Sequence, residues 1–301
     1  GAMDRGRGCA GSRGRRAGGV DGGAAGRAAA WAGATVCGVL LLVLSGCAAR
    51  RPALPAVPSR ELPGAWLRLL ADRPCPDPFW ARLRLRLEVP GQPGVTLEGM
   101  LRAQAPDTLR LTARLGPFRP VFALLANPDS AQILLHDAGE FWLVPRAVPD
   151  WAAMDPAAWS EALSWALCPA RLLQRFEAEG PGNVAGSRWS VAGRLRGTPW
   201  GAALTMDTRT GALLSARVRG GEAVAFELTA GRHGSVGGAW LPGRMEIRRP
   251  LDGLAINIER VAGGKQDPGE ITPRDLVRPP GWSELRGEIE WNFAPPPGGA
   301  R

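Results

Sequence analysis

Trp80-Ala81-Arg82-Leu83-Arg84-Leu85-Arg86-Leu87-Glu88-Val89 alternates apolar and charged side chains with a period of two. That period is the pattern of a strand with one buried and one solvated face. The turn Pro90-Gly91-Gln92-Pro93-Gly94 returns the chain into Val95, Leu97, Gly99 and Leu101, so the pair reads as an antiparallel hairpin. The alternation continues through Leu109, Leu111, Ala113 and Leu115, then 121–126, then Ala131, Ile133 and Leu135, then 141–144. Short connections rich in Pro, Gly, Asn and Asp make this run an antiparallel meander.

On either side the period lengthens. Leu62, Trp66, Leu69 and Leu70 predict a short amphipathic helix that Pro74 stops. Asp155-Pro156 reads as a cap followed by the first helical residue, and Trp159, Ala162, Leu163, Ala166 and Leu167 then form one apolar stripe. Pro169 breaks that helix, and Leu172, Leu173 and Phe176 predict a further turn or two before Gly180-Pro181-Gly182. Strands resume at 189–195, 202–206, 213–218, 224–228, 245–247 and 256–258. Strands, then helices, then strands, without βαβ alternation, predict a mainly β protein with some α: one antiparallel sheet covered on one side by helices. About ten strands in one sheet must curl. A curled sheet with an apolar concave face, closed by amphipathic helices, encloses a greasy hollow.

The N-terminal segment reads separately. Six Arg precede an uncharged apolar run over 28–44, which closes on Leu44-Ser45-Gly46-Cys47. This order is that of a secretory signal, and its ending resembles the lipobox of bacterial lipoprotein precursors. Residues 1–46 are therefore expected to leave as a signal peptide, with Gly1-Ala2-Met3 an expression scar or an odd start, and Cys47 to carry the lipid anchor. The competing reading is a membrane-spanning signal anchor, for which 28–46 is just long enough. Residues 47–60 form a Pro-rich, semi-rigid tether. Ala48 stands where inner-membrane lipoproteins of well-studied enteric systems carry Asp, which favours the outer membrane. No second apolar run is long enough to span a bilayer.

Of the 37 basic and 28 acidic residues, six basic and two acidic ones precede Cys47, so the surplus of nine falls to five downstream. Those arginines are spread along strands instead of clustered, which argues against a nucleic-acid partner. Cys9 and Cys37 leave with the signal and Cys47 is acylated, so Cys75 and Cys168 are left to form a disulfide in an oxidising compartment, or to stay as two buried thiols. Catalysis finds little support. His136 and His233 are the only histidines, nothing at metal-ligand spacing surrounds them, and no nucleophile-elbow, metalloprotease, phosphate-loop or dinucleotide signature is present. The chain is expected to be no enzyme and to need no cofactor.

The stretch Leu109-Arg110-Leu111-Thr112-Ala113-Arg114-Leu115-Gly116-Pro117-Phe118-Arg119-Pro120-Val121 resembles the strand, Pro-apolar turn and strand of the LolB family, outer-membrane lipoproteins that receive lipoproteins from the carrier LolA. Trp159 to Gly182, broken at Cys168-Pro169-Ala170, is similar to the family's lid region. Trp240-Leu241-Pro242-Gly243-Arg244-Met245-Glu246-Ile247, followed by Ile256-Asn257-Ile258, is similar to the closing hairpin of LolA and LolB. The likeness covers roughly 61–262, and the Pro/Gly-rich tail over 263–301 departs from it.

The resemblance implies an incomplete β-barrel with a helical lid, a monomer on the periplasmic face of the outer membrane. Its hollow would accept lipoprotein acyl chains from a LolA-like periplasmic carrier and pass them into the membrane. Leu83, Leu85, Leu111, Ile133 and Leu135 are expected to line that hollow, with Trp159 and Leu163 on the lid. Phe118 stands where the family places an apolar residue on a membrane-contacting loop, and the ordinary alternative is a turn aromatic folded back on the sheet. A lipid or glycolipid carrier of the same fold, or a structural surface lipoprotein without a ligand, are the alternatives.

Overall fold

The computed structural model describes residues 63–75, 78–104, 108–236, 239–265, 276 and 278–285. The leader, Cys47 and the tether lie outside the described residues. The elements in chain order are α1 (Pro63–Ala71), β1 (Phe79–Glu88), β2 (Val95–Gln104), β3 (Thr108–Leu115), β4 (Arg119–Ala126), β5 (Ser130–Leu135) and β6 (Glu140–Pro145). Two helices follow, α2 (Pro156–Leu167) and α3 (Pro169–Arg175). The second run of strands is β7 (Phe176–Ala178), β8 (Asn183–Ala185), β9 (Arg188–Leu195), β10 (Gly201–Asp207), β11 (Leu213–Gly220) and β12 (Ala223–Gly231). The chain ends with β13 (Gly234–Val236), β14 (Ala239–Leu241), β15 (Arg244–Arg249), β16 (Leu254–Lys265) and β17 (Ser283–Glu284).

Fifteen of these strands form one sheet, ordered β17-β6-β5-β4-β3-β2-β1-β16-β15-β12-β11-β10-β9-β7 with β8 also on β9, and β13 and β14 pair by themselves. The sheet is mainly antiparallel, curled and open. The first and second meanders meet at its centre, where β1 pairs β2 on one side and β16 on the other. Register shifts at Arg82/Leu83, Ala113/Arg114 and Val218/Arg219 are the bulges that sharpen local twist and let so wide a sheet bend. At Gly99 a Cβ would sit 2.8 Å from Leu85 Cδ1, so a larger residue there would have to push that buried side chain aside.

The alternation in β1 behaves as read. Leu83, Leu85 and Leu87 are buried on the concave face, whereas Arg82, Arg84 and Arg86 are exposed on the convex one. Helix α2 lies in the concavity against β4, β5 and β6, and all twelve of its residues are buried. The expected single apolar stripe is therefore only half of its environment, because the polar side of the helix is also enclosed. Helix α1 packs on α3, and Trp66 meets Trp189 edge-on with ring centroids 5.4 Å apart, tying α1 to β9. Cys75 and Cys168 are joined in a disulfide, with Cα atoms 5.2 Å apart across 93 residues of sequence.

Three features differ from the sequence expectations. The sheet has fifteen strands where about ten were expected, since strands as short as β7, β8 and β17 carry too few residues to show a period. Phe176 opens β7 opposite Leu195 instead of extending the second helix. Part of the tail belongs to the sheet: β16 continues to Lys265 opposite Phe79, and Ser283–Glu284 add a parallel strand to Glu140–Phe141.

Candidate functional site

Beneath α2 the concave face leaves a small apolar hollow. The sheet lines it with Leu85 from β1, Leu111 from β3, Phe122 and Leu124 from β4, Ile133 from β5, and Ile256 and Ile258 from β16. The helix closes it with Trp159 and Leu163, one turn apart, so that they share the same face. The space amounts to about 20 Å³, room for roughly one water-sized sphere in surroundings that offer water no partner. A second gap of about 10 Å³ lies further along, among Phe79, Ala81, Leu83, Leu101, Leu167 and Met245.

Five of the seven residues expected to line the hollow thus come together around it. Leu83 borders the second gap instead, and Leu135 sits half-buried at the margin, opposite Phe122 in the β4–β5 register. Sequence reasoning left out Phe122, Leu124, Ile256 and Ile258. In β4 the reason is plain: all six residues from Val121 to Ala126 are buried, so an unbroken apolar run conceals which side chains face inward.

The polar side of α2 is held by charge. Glu161 is fully buried and lies 3.2 Å from Arg146, itself 1% exposed, with Arg171 and Arg175 reaching the same carboxylate at 3.6 and 3.4 Å. Trp165 Nε1 donates to Glu161 Oε2 at 3.1 Å, and Arg146 also donates to Ser164 Oγ and to the Asn127 carbonyl, each at 3.0 Å. A carboxylate removed from water needs this much compensation. The cluster fixes α2 to the β4–β5 turn, to the β6–α2 connection and to α3 at once.

The ends of α2 are fixed differently. At the N-terminus, Asp155 caps the helix by accepting from Ala158 N at 2.7 Å and also accepts from Asp150 N at 3.1 Å. Burial pushes its carboxyl up to about 6, against the opposing pull of those backbone donors. Nearby, Trp151 packs on Trp165 and on Phe226, and Arg249 donates to the Ala153 carbonyl at 3.1 Å. At the C-terminus, Cys168 ends α2, precedes α3 and carries the disulfide.

Phe118 does not fold back: it is 91% exposed at the tip of the β3–β4 turn. Gly116, at φ +66°, supplies the left-handed residue that the turn requires, and Arg119 donates to both carboxylate oxygens of Asp137, at 3.2 and 2.7 Å, beside it. His136 lies edge-on to Trp282 at 5.4 Å, and burial lowers the pKa of both His136 and His233. Among the described residues no three His, Cys, Asp or Glu side chains gather as a metal site, and no helix is long and apolar enough to cross a membrane.

No known protein-family profile matches the sequence, and no curated protein does. Solved structures do resemble the fold. A LolA superfamily protein from Nitrosomonas europaea superposes with a TM-score of 0.51 at 11% identity, covering 74% of this chain and 100% of that one. A DUF1329 family protein from Desulfovibrio piger gives 0.47 at 12% identity, with 68% and 93% covered. An outer membrane lipoprotein-sorting protein domain from Vibrio parahaemolyticus gives 0.43 at 10% identity, with 62% and 84% covered. At such identities the first of these speaks to fold, and the chain has the LolA-like fold: a curled open sheet around an enclosed helix.

Proposed function

We propose that this chain is an outer-membrane lipoprotein, anchored through Cys47, that accepts lipoprotein acyl chains from a LolA-like periplasmic carrier and passes them into the outer membrane. The observation that carries the reading is the apolar hollow of a LolA-like sheet, closed by a helix whose inward residues, Trp159 and Leu163, are themselves apolar. Apolar burial is non-directional and follows area at about 25 cal/mol per Å². An acyl chain can therefore take over the contacts that these two side chains make, at little net cost.

A hollow of about 20 Å³ holds no acyl chain, so loading requires α2 to move. The disulfide keeps the Cys168 end in place, and the movement belongs to the end capped by Asp155. Because cargo and helix compete for one apolar surface, binding is a shift between two arrangements of α2, in which burial of the cargo offsets the contacts of Glu161 that the movement breaks. Phe118, exposed on its turn, is the residue that meets the membrane during delivery.

A structural lipoprotein that merely packs its strands would also show so nearly filled a hollow. The experiment that separates them is mass spectrometry of hydrophobic ligands co-purifying with the protein, together with displacement of a fluorescent fatty acid. Acyl-bearing ligands and saturable displacement support the carrier. A ligand-free protein that ignores fatty acid favours the structural reading.

A further inference from the structure

Three neighbouring hairpin turns share one rim of the sheet. They are residues 90–94 between β1 and β2, 116–118 between β3 and β4, and 250–253 between β15 and β16. The strands concerned are consecutive in the order β4-β3-β2-β1-β16-β15, so the turns emerge at the same end, two strands apart. They carry the two most exposed large apolar side chains among the described residues, Phe118 at 91% and Leu251 at 75%. Four strand spacings separate these two, roughly 19 Å of sheet.

Charge at this part of the rim is compensated. Of the acidic residues flanking the turns, Glu88 pairs with Arg86 at 2.9 Å, Asp137 with Arg119 at 2.7 Å, and Asp252 accepts from the buried Arg249 at 3.0 Å. In the last pair the only charged residue of the turn, Asp252, stays 43% exposed but is paired with Arg249, and Leu251 is the more exposed tip beside it. Turns at the opposite rim are polar instead: Asn127-Pro128-Asp129 and Asp207-Thr208-Arg209-Thr210. Behind the apolar tips, Arg86, Arg114 and Arg248 stand exposed on the convex face, Arg86 beside Glu88 and Arg248 beside Glu246, at the depth where long cationic side chains meet anionic headgroups.

We propose that this rim rests on the bilayer and that Leu251 enters lipid beside Phe118, giving the domain two points of contact and hence a fixed orientation. The inference rests on the membrane-delivery reading above and adds to it a second contact and an attitude on the surface. Separate tips on hairpins suit a fluid hydrocarbon, which fills the space between them. A protein partner would instead need a surface shaped to fit between them, about 800 Å² a side in a typical stable complex.

The test uses the full chain with Cys9, Cys37 and Cys47 replaced by serine, so that a polarity-sensitive dye reports only an engineered thiol at Leu251→Cys, Phe118→Cys or, on the opposite rim, Val184→Cys. Vesicles of phosphatidylethanolamine and phosphatidylglycerol, with and without nitroxide-labelled lipid, supply the surface, and no cargo is present. The dye at 251 should shift to the blue and be quenched by the nitroxide to a degree comparable with the dye at 118, while that at 184 stays unquenched. Leu251→Asp should lower vesicle partition of the otherwise unlabelled chain about tenfold or more. A dye at 251 that stays aqueous and unquenched on vesicle-bound protein overturns the proposal. So does a blue shift that grows with protein concentration without vesicles, which would mark an interface between copies. Because acyl-chain binding is not read here, failure at this step leaves the hollow's role standing, and failure of ligand binding leaves the rim's.

Discussion

The Glu161 carboxylate and the Arg146 guanidinium meet 3.2 Å apart, and solvent reaches neither side chain to any useful extent. The pair lies on the far side of α2 from the hollow, so the same helix is greasy where it covers the cavity and ionic where it is tethered. Breaking a buried pair from one side strands the other charge, at a cost of about 3–5 kcal/mol. Glu161→Gln should therefore destabilise the fold by about that amount in urea titrations. Arg175→Ala, which removes a side chain that is 28% exposed, should cost less than about 1 kcal/mol. Equal effects from the two would mean that the cluster is no anchor.

Asp155 makes stability depend on pH in an unusual direction. Its carboxyl is raised to about 6 in the folded chain, above the value of about 3.9 in an unfolded one. The folded state thus holds the proton more tightly. The contribution is fully present below about pH 4 and is lost as pH rises through 6, by about 1–3 kcal/mol. Asp155→Asn keeps an acceptor for Ala158 N without the charge, so its melting temperature should vary less than the wild type's between pH 4 and 7. Asp155→Ala loses the cap and should be destabilised throughout by about 0.5–2 kcal/mol. A wild-type profile that is flat or rises across this window, after subtraction of the Asn variant, contradicts the assignment.

The Cys75–Cys168 bridge closes 93 residues and joins the segment after α1 to the junction of α2 and α3. Denatured, unreduced protein with Cys47 acylated should show no thiol at these two positions. Paired Cys75→Ser and Cys168→Ser replacements should lower stability by about 2–5 kcal/mol. Two titratable thiols in exported material would remove the bridge, and with it the fixed end of the helix.

Anchoring is expected to be separable from folding. Cys47→Ser should abolish palmitate labelling and wash-resistant membrane association, leaving only the weaker contact of the rim, with thermal unfolding unchanged, because the Pro-rich stretch over 47–60 is expected to separate the anchor from the domain. Retention of the mutant on membranes through a carbonate wash would favour a spanning segment instead.

How legible each part was follows from where its partners lie. In β1 the inward Leu83, Leu85 and Leu87 alternate with outward arginines, so period alone gave strand and face, while the hollow followed from the architecture and is lined by Leu85 alone of the three. In β4, Ala123 and Leu125 are buried on the convex side just as Phe122 and Leu124 are on the concave one, and the sequence offers no means of sorting them. Asp155-Pro156 and the Trp159 stripe announced α2. The partners of its polar face did not show, since Arg146 precedes Glu161 by 15 residues in a connection and Arg171 and Arg175 follow in another helix. Exposure of Phe118 and Leu251 is a property of turns at a shared rim, and only strand order reveals that the rim is shared.

The most direct measurement of the central claim is transfer of a fluorescent acylated lipoprotein from a LolA-like carrier to this chain and on to liposomes. Wild type should take up the acylated cargo and ignore an unacylated form. Leu111→Asp, which puts a charge into the hollow, should fail at uptake, and Phe118→Asp should take up cargo nearly as well as wild type but deliver it slowly. Uptake that is indifferent to acylation, or to Leu111→Asp, would contradict the account, because the hollow beneath α2 would then have no part in holding the cargo.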